Sequence, residues 1–215
     1  MTFIRLLLPL FAVTVFAAED AVTWKFDNLR QIGGHAVSVL GEPKVIETPA
    51  GKAIEFDGVD DALFLEVHPL AGAETFTWEV IFRPDGDGPP AQRFFHMQEN
   101  GSQHRYLFET RIIEKQWALD SFAATAAGSR PLMDTKLLHP ADRWYHVAAV
   151  YDGKEYRNYV NGKLQVSAAV TLAPMGAGRT SVGVRINKVD YFKGAIRVSR
   201  MTKRALAVPE FLPVP

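Results

Sequence analysis

The chain contains no cysteine. That removes disulfides, thiolate metal sites and cysteine nucleophiles together, and leaves an apolar core, hydrogen bonds or a bound ion to hold the fold. It also lacks net charge, because 24 basic and 24 acidic residues cancel at neutral pH. Nucleic acid and anionic membrane are therefore not expected as partners, since both are recognised through an excess of basic side chains. Beyond the N-terminus no apolar run approaches the roughly 20 residues of a bilayer-crossing helix, so no membrane insertion of the mature chain is expected. Helix signals are weak, and there is no internal repeat, no phosphate-cradling glycine loop and no serine in a nucleophile elbow.

What the sequence does have begins with an export signal. Arg5 supplies a positive charge, Leu6 to Phe16 form a short apolar stretch, and Ala17 and Ala18 are small residues suited to cleavage. Residues 1–18 are read as a signal peptide, which makes the protein secreted or periplasmic and leaves residues 19–215 as one domain. Hydrophobic residues make up 47% of the chain, which excludes disorder.

Turn dipeptides punctuate the rest. Asp57-Gly58, Asp85-Gly86, Asp87-Gly88, Asn100-Gly101, Asp152-Gly153 and Asn161-Gly162 all tolerate the positive φ angles of tight turns. Between them lie short runs rich in aromatic and β-branched residues. Strands are predicted at 22–26, 53–56, 62–66, 76–83, 93–98, 105–114, 116–125, 144–151, 155–160, 163–169, 180–184 and 194–200. That many short strands with regular turns predict an all-β sandwich or barrel. With two-residue turns at Asp152-Gly153 and Asn161-Gly162, residues 144–169 form a three-stranded antiparallel meander. Tyr145, Val147, Ala149, Tyr156, Asn158 and Val160 then share one face, and Trp144, His146, Ala148, Val150, Arg157, Tyr159, Leu164 and Val166 share the other.

Three segments carry a family resemblance. The first is Phe56-Asp57-Gly58-Val59-Asp60-Asp61. The second is Trp144-Tyr145-His146-Val147-Ala148 with Tyr151-Asp152-Gly153 and Tyr159-Val160-Asn161-Gly162. The third is Gly194-Ala195-Ile196 with the tail around Pro209-Glu210-Phe211. In order and spacing they resemble the laminin-G-like branch of the concanavalin A-like lectin/glucanase superfamily, in its bacterial exported form. The resemblance implies a two-sheet antiparallel jelly-roll sandwich. It implies no single function, because that fold serves lectins, adhesion modules and glycoside hydrolases alike. The closing strand departs from the family pattern, with Arg197 and Val198 where many relatives carry an acidic pair.

Two groups of residues are candidates for chemistry. Asp57, Asp60 and Asp61 cluster at a turn and offer oxygens to a hard cation, which makes calcium the candidate cofactor; calcium takes six to eight such ligands. Glu55, Asp57 and Asp60 superficially imitate a glycanase carboxylate motif, but the Asp57-Gly58 turn interrupts the strand alternation needed to aim them together. For ligand binding, the segment from Arg93 to Asp120 is richest in aromatics and planar polar groups, the pair of features a sugar site needs. The candidates are His96, Arg105, Glu109, Arg111 and Trp117, together with Asn158, which stands where relatives carry an apolar residue. Arg105, Glu109 and Arg111 share one strand parity. With no readable catalytic motif, the sequence is read as a non-catalytic module binding a carbohydrate or surface glycan. A hydrolase or lyase of the same fold and a protein-adhesion module are the alternatives. The sequence leaves the oligomeric state open.

Overall fold

A computed structural model describes residues 20–215, so the expected signal peptide at residues 1–18 lies outside the described residues. The chain forms two large sheets, with strands numbered in chain order. Sheet I runs β16 (Lys163–Ala169), β15 (Glu155–Val160), β14 (Tyr145–Tyr151), β8 (Phe76–Pro84), β18 (Lys193–Thr202), β6 (Gly51–Asp57) and β5 (Lys44–Thr48), and β1 (Ala21–Lys25) also pairs with β18. Sheet II runs β12 (Gly128–Met133), β11 (Gln116–Thr125), β10 (Arg105–Ile113), β9 (Ala91–Glu99), β17 (Gly178–Val182), β7 (Ala62–Leu65) and β4 (Ser38–Leu40), and β13 (His139–Pro140) also pairs with β11. A small hairpin, β2 (Gln31–Ile32) and β3 (His35–Ala36), stands apart. The ladders are antiparallel throughout, and the chain passes repeatedly from one sheet to the other, as a jelly roll requires.

The sheets close over an aromatic core. Trp78 and Phe82 descend from β8 and meet Phe94, Phe95, Phe108 and Trp117 of sheet II. Phe82 stacks on Phe94 at 4.3 Å and Phe94 lies parallel to Phe108 at 5.5 Å. Such pairs add about 0.5–1.5 kcal/mol each beyond the area they bury. A β-bulge makes this possible: Phe108 pairs Phe95 while Glu109 pairs Arg93, so Phe94 is the extra residue. Both Phe94 and Phe95 are buried in the core, and the bulge turns Arg93 to the outer face beside Glu109.

The meander confirms the predicted faces with one exception. Val147 pairs Val160 and Ala149 pairs Asn158, which sends Tyr145, Val147, Ala149, Tyr156, Asn158 and Val160 inward. Asn161 and Gly162 take φ of 48° and 72°, the two-residue turn expected of them. The Asp152 turn is centred one residue later, on Gly153-Lys154, because Tyr151 pairs Tyr156; the register shift is even, so the faces are kept. Val166 is the exception. A bulge beside Tyr159 turns it inward, where it packs against the core.

The outer face of sheet I is partly covered by the C-terminal tail, which makes one helical turn at Val208–Glu210. Phe211 packs on His146 and Tyr159, and the Leu212 amide donates to Glu79 Oε1 at 2.6 Å. Glu79 also binds His146 Nε2 at 3.0 Å and Arg200 Nε at 2.6 Å. Against the cost of burial, these partners hold its carboxyl below the usual range. No helix among the described residues is long and apolar enough to cross a membrane.

Candidate functional site

The outer face of sheet II carries charge that the sheet does not need for packing. Strand alternation places Arg105, Leu107, Glu109 and Arg111 of β10 outward, opposite Ala118, Asp120 and Phe122 of β11. Glu109 lies directly across from Asp120 on one side and, through the bulge, from Arg93 on the other. Arg111 Nη2 bonds Glu109 Oε2 at 3.0 Å and Asp120 Oδ2 at 2.7 Å. Arg93 Nε sits 2.8 Å from Glu109 Oε2, a close ion pair off the donor axis, and Arg93 Nη1 reaches Asp190. Arg93, Glu109, Arg111 and Asp120, with Arg105 and Arg185, line a cleft of about 250 Å³.

The cleft is partly roofed by the connection between β17 and β18. The Ile186 amide donates to His96 Nδ1 at 3.0 Å, and the Arg93 amide donates to the Asp190 carbonyl at 2.9 Å, pinning the loop at both ends. His96 is 1% exposed, and its Nδ1 is an acceptor, so the neutral ring carries its proton on Nε2. Burial, then the charges of Arg185, Arg105 and Arg179, push it down to about 3. His96 is thus a neutral positioning residue that sets the loop bearing Arg185 over the sheet.

Electrostatics divide the cleft into two ends. At one end burial, and then mutual repulsion, push the Glu109 carboxyl up; burial does the same to Asp120, with Arg111 and Arg93 pulling both back. Asp120 Oδ1 and Arg111 Nη1 are buried there without a hydrogen-bond partner among the described residues. At the other end Arg105 lies 4.8 Å above the ring of half-buried Phe122, its Nε likewise without a partner.

The face therefore unites four of the expected ligand residues, His96, Arg105, Glu109 and Arg111. It does not include the other two. Trp117 is fully buried between the sheets, packed edge-on to Phe82 at 5.1 Å and to Tyr145 at 5.0 Å. Its spacing of three from Asp120 puts it on the opposite strand face, so it is a core residue. Asn158 is also fully buried; its Nδ2 donates to Ser121 Oγ at 3.1 Å and to the Leu132 carbonyl at 3.0 Å, and its Oδ1 accepts from the Val166 amide at 2.9 Å. Asn158 satisfies a bulge and ties the sheets together, so it is no ligand contact. Sequence reasoning left Arg93, Asp120, Phe122 and Arg185 off the candidate set. Alternation along β11 points to Asp120 and Phe122, whereas Arg93 needs the bulge and Arg185 needs the tertiary fold.

The three aspartates lie where β6 of sheet I crosses to β7 of sheet II. One carboxylate oxygen from each of Asp57, Asp60 and Asp61 falls within 4.8 Å of the others. Local bonds already use several of these oxygens. Asp57 Oδ1 accepts from the amides of Val59, Asp60 and Asp61, and Asp61 accepts from Glu42 and Asp57. Against a burial cost, the amides hold Asp57 below the usual range, while burial pushes Asp61 up. Gly41 serves the same corner: its φ is 69°, and a Cβ there would meet Asp61 Oδ1 at 2.5 Å.

Comparisons with known proteins agree with this architecture. No curated protein matches the chain. Domain 4 of AbnA, a GH43 extracellular arabinanase from Geobacillus stearothermophilus in complex with arabinotriose, superposes with a TM-score of 0.60 at 15% identity, over 88% of this chain and 94% of that one. The binding domain of botulinum neurotoxin DC in complex with SialylT gives 0.61 at 14% identity, over 88% of this chain and 48% of the toxin chain. These likenesses are of fold. The laminin-G model described as the concanavalin A-like lectin/glucanases superfamily matches residues 57–210, which include all of β8 to β18, and the chain belongs to that family.

Proposed function

We propose that the chain is an exported, non-catalytic carbohydrate-binding module whose sugar ligand occupies the cleft on the outer face of sheet II. One observation carries the reading: Asp120 and Arg111 line the cleft, and an acceptor of one, Oδ1, and a donor of the other, Nη1, lie beneath its surface with no partner among the described residues. An unpaired buried polar atom costs about 1–3 kcal/mol, and a sugar hydroxyl, which both donates and accepts, pairs with either group once its side chain turns toward the cleft. Phe122 adds an apolar ring to the same lining, with Arg105 over one side of it. The arabinotriose held by the arabinanase domain supports the reading, since that domain shares the fold.

A glycan array probed with residues 19–215 tests it. We expect binding to a defined glycan class, and Asp120→Asn to weaken it about 10- to 100-fold per folded molecule. A silent array overturns the reading, and full binding by Asp120→Asn places the ligand elsewhere. Arms with calcium and with chelator ask whether Asp57, Asp60 and Asp61 hold an ion, because loss of signal in chelator assigns them that role.

A hydrolase is the second reading. Glu109 and Asp120 share one guanidinium nitrogen, close enough for a retaining carboxyl pair, which sits roughly 5 Å apart. Burial raises both carboxyls, but Arg93 and Arg111 pull each back toward the ionised form, which has no proton to pass to a leaving group. Release of sugar from a bound glycan, abolished by Glu109→Gln, would establish it instead.

A further inference from the structure

Resting on the reading of this cleft as a sugar site, the geometry points to its ligand class: a glycan whose bound residue carries an oxyanion, a carboxylate or a sulfate, held between Arg105 and Arg185.

The cleft is lined by four arginines but two carboxylates. Glu109 and Asp120 are already engaged by Arg93 and Arg111. Neither Arg105 nor Arg185 forms a salt bridge among the described residues. Arg105 spends one nitrogen on the Gln103 carbonyl at 2.7 Å and sits over Phe122, while its buried Nε has no acceptor among the described residues. Arg185 is brought to the same cleft by the loop bonded to His96. Two like charges are thus held close together, and burial followed by the Arg185 charge pulls the Arg105 guanidinium down. An oxyanion relieves that repulsion and matches the planar fork of each guanidinium with charge-assisted bonds.

The opposite end sets a limit on the ligand. Asp120 Oδ1 is an acceptor that repels a second oxyanion and receives a hydroxyl. The cleft therefore takes a sugar with its charge at the Arg105–Arg185 end and its hydroxyls at the Asp120–Arg111 end. At about 250 Å³ it is smaller than the roughly 300–1,000 Å³ of drug-sized ligand sites, a scale suited to one sugar residue.

The test measures affinity of residues 19–215 for polygalacturonate and its methyl ester, for dextran sulfate and dextran, and for neutral arabinan, with a DNA duplex as a polyanion control. The two acidic arms separate carboxylate from sulfate. Arg105→Gln and Arg185→Gln are compared with wild type and with Arg143→Gln, an exposed arginine away from the cleft. We expect one acidic polymer to bind at least about 10-fold more tightly than its neutral counterpart. Arg105→Gln and Arg185→Gln should each remove about 10- to 100-fold, with melting temperatures unchanged. Affinity should fall several-fold from 50 to 500 mM salt, as screening requires. Equal binding of acidic and neutral polymers, or full binding by Arg185→Gln, overturns the oxyanion assignment and leaves the sugar site standing. Equal retention of DNA overturns it in favour of an unspecific basic surface. No binding to any polymer, neutral or acidic, removes the sugar site itself.

Discussion

The two sheets of this sandwich treat their outer faces in opposite ways. On sheet I a buried carboxylate, Glu79, is surrounded by His146, Arg200 and the Leu212 amide, and the chain's own tail lies over it. On sheet II the carboxylates Glu109 and Asp120 are also buried and also meet arginines, but no segment among the described residues completes the network. Among the described residues one side-chain atom of the Glu79 network, His146 Nδ1, lacks a partner, while the residues of the cleft leave Asp120 Oδ1, Arg111 Nη1 and Arg105 Nε unpaired. Similar residue types thus do two jobs. A polar network closed by the chain holds structure, and one left open is available to a ligand.

Breaking the closed network should have the largest effect. Glu79→Ala strands His146 and Arg200 and frees the tail, at about 3–5 kcal/mol by analogy with other buried pairs that lose one partner. Urea unfolding measures the loss, and affinity per folded molecule should stay unchanged because the cleft lies on the other sheet. Acid comes next. His68 and His96 are pushed down to about 4 and about 3, in each case first by burial. Their folded values lie below an unfolded value near 6.5, so their contribution is fully present above that pH and is lost as pH falls toward 4 and 3. Unfolding between pH 7 and 5 should show stability dropping by about 2–4 kcal/mol, and His96→Asn should remove part of that slope. Asn158→Ala should cost less, about 1–3 kcal/mol for unpaired buried groups, and leave glycan affinity untouched. A loss of affinity without a loss of stability would return Asn158 to the site and erase the contrast between core and cleft.

Much of the fold was legible because local chemistry and tertiary demand agree. The twelve predicted strands all appear, shifted by a few residues at their ends. The strands that sequence reasoning passed over lack such agreement. β12 contains Pro131 and Gly128, and Pro is tolerated there because β12 is an edge strand. Glu114 and Lys115 make a tight turn at φ of 49° and 61° with no glycine or asparagine to announce it, which is why β10 ends at Ile113 and not at Glu114. Asp57-Gly58 reads as a hairpin turn yet serves as the crossing between sheets, because turn chemistry does not say which sheet receives the next strand.

The site was legible only in part for a related reason. Parity alone groups Arg105, Glu109 and Arg111, and parity equally separates Trp117 from Asp120. No local pattern reveals the Phe94 bulge that turns Arg93 outward, or the loop that brings Arg185 from far along the chain to the same cleft. An outward buried charge becomes visible only when the neighbouring strands are in place.

The most direct test of the account follows backbone amide resonances of residues 19–215 during titration with a binding glycan. A ligand in the cleft shifts Arg93, Arg105 to Arg111, Asp120 to Phe122 and Arg185, and leaves Tyr145 to Val160 and the tail around Phe211 unmoved. Shifts confined to the outer face of sheet I, or to the Asp57–Asp61 corner, would contradict it.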